Sequence, residues 1–196
     1  MRIPFIPKVP DPSKLIRPEL EEFIRQTKGG SSFLAAGAIF WLSGAFISYF
    51  VPNATIAWII YGGVSVPFLA IIIGKLQRSA WLIKSPYAVL AAVAPVTELA
   101  AIPIMIFLQD SNPGALVGIL MICEGAHYLI YMWLHLEYHY FILFYLKCFL
   151  GTLFLFNVIF GGDLGWQMLI SGIASLIAAM LVARDSLRVK ELYQKT

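Results

Sequence analysis

Polar positions along this chain come in bunches, separated by long runs in which almost every residue is apolar. Six such runs can be read, at roughly 31–51, 54–74, 86–108, 115–134, 139–160 and 166–183. A run of about 20 apolar residues, coiled as a helix, matches the hydrocarbon thickness of a bilayer. The pattern predicts an all-α polytopic membrane protein with six transmembrane helices in one bundle over 31–183. A segment at 1–30 and a tail at 184–196 flank it.

The fourth and fifth runs are the hardest to separate, because no Gly, Pro or Asn falls between His127 and Gly151. Length forces a break. Residues 115–160 as one helix would reach about 69 Å, more than twice the hydrocarbon core. The polar residues place that break near His135–His139. In the flanking segment, PELEEFIRQTK (18–28) opens with a proline and acids suited to a first helical turn. Leu20, Phe23 and Ile24 share one face, as in a short amphipathic helix on the cytoplasmic leaflet. The tail is expected to prolong the sixth helix.

Lysine and arginine set the direction. Of 14 basic residues, all but Lys147 fall before the first run, between the second and third, or after the sixth. The loops on the other side carry Asp110 and Asp163 instead. The bias puts both termini in the cytoplasm, and it accounts for the net charge of +3 without any nucleic-acid partner. Composition agrees: 60% of residues are hydrophobic and 13% charged, where a soluble domain has about 25% charged. The opening MRIPFIPKVPDP lacks the apolar core of a cleavable signal peptide. Cys123 and Cys148 both sit in apolar runs and suggest no disulfide framework.

Four ionisable side chains lie deep inside runs: Glu98, Glu124, His127 and Lys147. At 1.5 Å per residue, Glu98 is about 18 Å and Lys147 about 12 Å from the cytoplasmic ends of their runs, and Glu124 about 14 Å from the outer end of its run. His127 is one turn beyond Glu124. A charge at that depth costs roughly 3 kcal/mol or more, so such groups pair or serve a function. Glu124, His127, Tyr128, Tyr131, His135 and Tyr138 recur at spacings of three and four and form one polar stripe. The opposite residues, Leu120, Ile122, Leu129 and Ile130, are expected to face lipid. Small residues around Glu98 (Ala91, Ala94, Pro95, Ala101) and in the sixth run (Ser171, Gly172, Ser175, Ala178, Ala179) offer close-packing seams. Lys147 either neutralises a glutamate or snorkels along its stem to the surface.

Several chemistries fit these residues. Glu124 and His127 form a Glu-x-x-His pair, the weak beginning of a metal site, with His135 and His139 too distant to complete it. The same two side chains are a conceivable acid and base, but no Gly-x-Ser-x-Gly, paired aspartates or phosphate loop accompanies them, and no cofactor motif is present. Chains of Glu, His and Tyr are the usual material of proton relays. The favoured expectation is a proton- or cation-responsive transporter or channel-like element, acting on a proton, cation or small solute. Its pathway would use Glu98, Glu124, His127, Lys147, Tyr128, Tyr131 and His135. The alternatives are an accessory subunit of a larger membrane complex, or a homo-oligomer, without transport. Pro67, Pro95 and Pro103 are expected to kink helices, and Thr97 and Asn157 to line a cavity.

The stretches KGGSSFLAAGAIFW (28–41) and EGAHYLIYMW (124–133) resemble a family of small bacterial integral-membrane proteins of unassigned function. The resemblance runs from about residue 20 onwards. It implies a plasma-membrane bundle and supplies no catalytic residues.

Overall fold

The computed structural model describes residues 18–79 and 85–193, apart from the side chains of Pro18, Thr97 and 186–193. The basic residues Arg2, Lys8, Lys14, Arg17, Lys84, Arg188, Lys190 and Lys195, and the expectation for the Thr97 side chain, lie outside that description. Ten α-helices follow in order: α1 Pro18–Thr27, α2 Ser31–Phe50, α3 Thr55–Tyr61, α4 Ser65–Gln77, α5 Pro86–Val93, α6 Val96–Leu99, α7 Ala101–Leu108, α8 Leu116–His135, α9 Tyr138–Leu155 and α10 Leu164–Tyr193. The described residues contain no strand.

Among the described residues, five segments are long and apolar enough to cross a membrane: Glu19–Phe50, Pro52–Gln77, Pro113–His135, Tyr138–Leu155 and Leu164–Asp185. The surface is correspondingly inverted. Phe46, Phe50, Phe68, Leu76, Phe107 and Phe149 are exposed, while Lys147, Gln167, Ser171 and Ser175 are wholly buried. A water-facing surface would reverse that order, so the chain is an all-α membrane protein.

The run at 86–108, expected as one helix, is three pieces. Pro95 has no N–H to give the Ala91 carbonyl, which accepts from Tyr131 instead; α5 ends at Val93, Ala94 stays helical at φ −52°, and α6 is a single turn before α7 begins. Pro103 is tolerated because it sits in the first turn of α7, where N–H groups lack helical partners anyway. The second segment has a milder interruption, a 3-10 turn at Gly62–Val64, with Pro67 in the first turn of α4.

The α8–α9 break falls where length required it. Leu136 turns left-handed at φ 52°, Glu137 is extended, and α9 begins at Tyr138. Glycine seams hold the two helices closely packed. A Cβ on Gly118 would lie 2.5 Å from both the Gly151 carbonyl oxygen and the Leu155 backbone nitrogen. One on Gly125 would lie 2.9 Å from Cys148 Sγ. α10 packs along α2, where a Cβ on Gly172 would meet Leu42 at 2.8 Å.

Contacts at the two ends show that the segments alternate in direction. At one end, Lys28 Nζ donates to the Gln77 carbonyl, Tyr140 Oη to the Gly29 carbonyl at 2.7 Å, and His139 Nε2 meets Asp185 at 2.8 Å. At the other, Asn157 donates to Asn112 at 3.2 Å, and Gly165 packs on Tyr49. The described chain therefore starts and finishes at the same end. Arg25, Lys28, Lys75, Arg78 and Arg184 all belong to it.

Two placements differ from expectation. α8 is the central helix and keeps only a narrow outward face, with Ala126 and Trp133 exposed and Ile122, Leu129 and Ile130 half-buried, while Leu120 is buried in the core. Leucine suits protein interior and lipid equally, so its presence cannot tell them apart. α1 turns its apolar face onto protein. Phe23 is 2% exposed and stacks on His135 at 5.3 Å. The turn behind it needs the left-handed glycines Gly29 (φ 63°) and Gly30 (φ 78°).

Candidate site at the polar layer

The buried apolar side chains form two clusters. One contains Phe40, Trp41, Met105, Leu116, Phe154 and Met168; the other contains Phe23, Leu34, Tyr128, Tyr131, Tyr140 and Val182. The polar layer falls between them along each helix. Glu124 is mid-helix in α8 and Lys147 mid-helix in α9, and the Gly118–Gly151 and Gly125–Cys148 contacts set them side by side.

Lys147 Nζ lies 2.8 Å from Glu124 Oε2. It also donates to Ser171 Oγ at 2.5 Å, and its nitrogen lies 4.9 Å from the centroid of the Trp41 ring. The Trp41 indole N–H donates to the same Glu124 oxygen at 3.0 Å, and Tyr128 Oη donates to Oε1. The carboxylate thus has donors on both oxygens and the ammonium has two side-chain acceptors, the arrangement that makes a buried ion pair tolerable. Lys147 does not snorkel; it is 0% exposed.

A second pair lies beside the first. His127 Nδ1 is 3.0 Å from Glu98 Oε1. The oxygen is out of line with the ring N–H, so Nδ1 has no aligned hydrogen-bond partner although the ion-pair distance is met. Geometry of this kind is a close contact rather than a formed hydrogen bond. Glu98 is the less buried partner, at 29% side-chain exposure against 6% for His127.

A cavity of about 250 Å³ is bordered by Glu98 and His127 and by Glu124 of the ion pair, with Lys147 behind its wall. Its walls come from α2, the Gly62–Val64 interruption, the broken segment at Pro95–Leu99, and α8. Its polar lining is Glu98, Glu124, His127, Tyr128 and Tyr131; its aromatic lining includes Phe33, Phe40 and Trp41. Both helix interruptions therefore border the same space.

The stripe from Tyr128 to His135 is continuous in packing but not in hydrogen bonding. Tyr131 and His135 rings lie 5.9 Å apart, and His135 and Tyr140 stack at 5.7 Å. Yet Tyr131 Oη donates to the Ala91 carbonyl at 3.0 Å and Tyr140 Oη to Gly29. These protons are committed to backbone, so the expected tyrosine relay towards the surface is interrupted at Tyr131. Tyr138 does not belong to the stripe; it lies past the break and is 38% exposed. Tyr140 takes the place expected of it.

His135 and His139 diverge: His135 faces Thr27 at 3.5 Å, and His139 pairs with Asp185. Among the described residues, no group of three His, Cys, Asp or Glu side chains is placed to hold a metal. Cys123 and Cys148 are free and half-buried. Beside the turn, Glu137 is pushed up to about 7, first by burial and then by the Asp185 charge. Three contributors were not anticipated: Trp41, Ser171 and Tyr140. An indole N–H inside an apolar run must find an acceptor, and that requirement was the available sign for Trp41.

No curated protein and no solved structure matches the chain. The model of a family of unknown function, DUF7010, matches residues 19–185, and the chain belongs to that family.

Proposed function

We propose that this DUF7010 protein is a proton-responsive transport element in which the Glu98–His127 pair carries the titratable function and the Glu124–Lys147 pair is structural. The supporting observation is the cavity that Glu98 and His127 border together, while Lys147 is kept out of it. The Glu124 and Lys147 charges are mutually satisfied, and three donors already occupy the Glu124 carboxylate. Glu98 and His127 meet without an aligned hydrogen bond and face open volume. Both side chains can carry a proton, so the pair can alternate between net negative and neutral.

The same reading has the chain crossing a bacterial plasma membrane six times, with both termini cytoplasmic. The broken α5–α7 segment is the third crossing in chain order, beside the five long segments. Non-helical backbone at membrane depth is tolerated where it lines a cavity, and discontinuous helices are common at substrate sites of transporters. The basic residues at the termini end supply the orientation.

The test is flux in proteoliposomes loaded with a pH-sensitive dye. Wild-type protein should carry a pH-dependent flux that Glu98→Gln lowers at least tenfold, while Glu98→Asp keeps part of it. Flux equal to that of empty liposomes would end the transport reading.

A further inference from the structure

We infer that the cavity binds a small organic monocation bearing a quaternary or protonated amine, in competition with a proton on His127. The inference rests on the Glu98–His127 reading above and names its substrate class.

Charge comes first. The Glu124 carboxylate is neutralised by Lys147 at 2.8 Å, so it adds no net charge to the wall. Glu98 is left with His127, which is neutral or positive. With His127 neutral the cavity has a net charge of −1; with His127 protonated it has none. The other titratable groups facing Glu98 and His127 are Tyr128 and Tyr131 on α8, Lys147 on α9 through space, and Cys123. Neither α2 nor the α3–α4 segment contributes a titratable lining residue.

The remaining walls decide between organic and inorganic cations. A hard metal cation needs several oxygen ligands to replace its water. Here the Glu124 carboxylate already accepts from Lys147, Trp41 and Tyr128, which leaves Glu98 as the one lining carboxylate open to a cation, too few charged oxygens to replace a hydration shell. The cavity offers aromatic rings in its lining instead, those of Phe33, Phe40, Trp41 and Tyr131 among them. The faces of such rings attract alkylated ammonium groups, which give up their weak hydration readily. A volume of about 250 Å³ equals roughly eight waters at about 30 Å³ each. It lies below the range of about 300–1,000 Å³ typical of drug-sized ligands. That size suits a cation as small as choline.

Competition has a defined slope. If only the form with neutral His127 binds, apparent affinity scales with the fraction of that form. Each tenfold fall in that fraction then raises the apparent Kd tenfold.

The experiment is calorimetric titration of the full chain in detergent micelles with choline, its uncharged isostere 3,3-dimethylbutan-1-ol, and NaCl. Choline should bind at pH 8 and at least tenfold more weakly at pH 5.5, and the alcohol and sodium should not. Glu98→Gln should abolish binding, and Glu98→Asp should weaken it. His127→Asn should bind choline at pH 8 and flatten the dependence down to pH 5.5, which keeps the test decisive if Glu98→Gln fails to fold. Equal binding of the alcohol, displacement of choline by sodium, a pH-independent Kd, or no choline binding at millimolar concentration would overturn the inference. Choline binding without flux supports it and removes only transport. A pH-dependent flux without choline binding removes only this inference.

Discussion

The Glu124–Lys147 contact makes a quantitative claim about two mutations and their combination. Lys147→Met keeps the stem volume and removes the cation. Glu124 would then keep its Trp41 and Tyr128 donors but lose its counter-ion. Breaking a buried pair from one side costs about 3–5 kcal/mol. Glu124→Gln leaves Lys147 charged, with Ser171 Oγ at 2.5 Å and the Trp41 face as its remaining support, and should cost a similar amount. The double variant has no buried charge, and the glutamine carbonyl can still accept from Trp41 or Tyr128. It should therefore be much more stable than the two losses added together, with a coupling energy of about 3 kcal/mol or more. The assay is reversible unfolding of the four proteins in mixed micelles. Neutral polar contacts between membrane helices average about 0.6 kcal/mol. A coupling near that value would refute the ionic reading and mean that the proton sits on Glu124, giving a neutral acid–amine pair.

The glycine seam and the α8–α9 turn give further expectations. Gly118→Ala should destabilise the protein by at least about 1–3 kcal/mol, the usual overpacking cost, because its new methyl would meet backbone at 2.5 Å. Gly63→Ala has open space around it and should melt as wild type does; thermal melts of both check the contrast. Glu137, held up to about 7, favours its protonated form in the fold. Its contribution to stability is complete below the ordinary carboxylate range and is lost as pH rises through about 7. The melting temperature should accordingly fall between about pH 5 and 8, and Glu137→Gln should flatten that fall; an unchanged slope in the variant would count against the burial of this carboxyl.

Depth was legible in the sequence, whereas direction around each helix was not. Glu98, Glu124, His127 and Lys147 could be placed at a common level by counting residues from helix ends. Which of them pair depends on azimuth, and that is fixed by Gly118, Gly125 and Gly151, whose role shows only once α9 lies against α8. The α8–α9 break was legible because no bilayer accommodates a 46-residue helix over 115–160. The break at Pro95 was less so, since the residues on both sides are as apolar as any continuous helix. The error over Leu120 and its neighbours has the same root, because hydropathy does not distinguish lipid from a protein interior. The polar stripe was half right: its lower part holds, and its upper part continues through Tyr140 on the next helix rather than Tyr138.

The close packing of α8 on α9 bears on how such a chain enters a bilayer at all. Lys147 alone would carry a cost of roughly 3 kcal/mol into the hydrocarbon, against an α9 sequence that is otherwise apolar. Its partner Glu124 sits on the helix synthesised immediately before it, across a two-residue turn. Ser171 and Trp41 belong to helices that join from further along the chain and from its beginning. The hairpin Leu116–Leu155 is therefore the smallest piece of this protein in which the lysine is already neutralised, and the glycines that allow the close approach are what make that piece insertable as a unit.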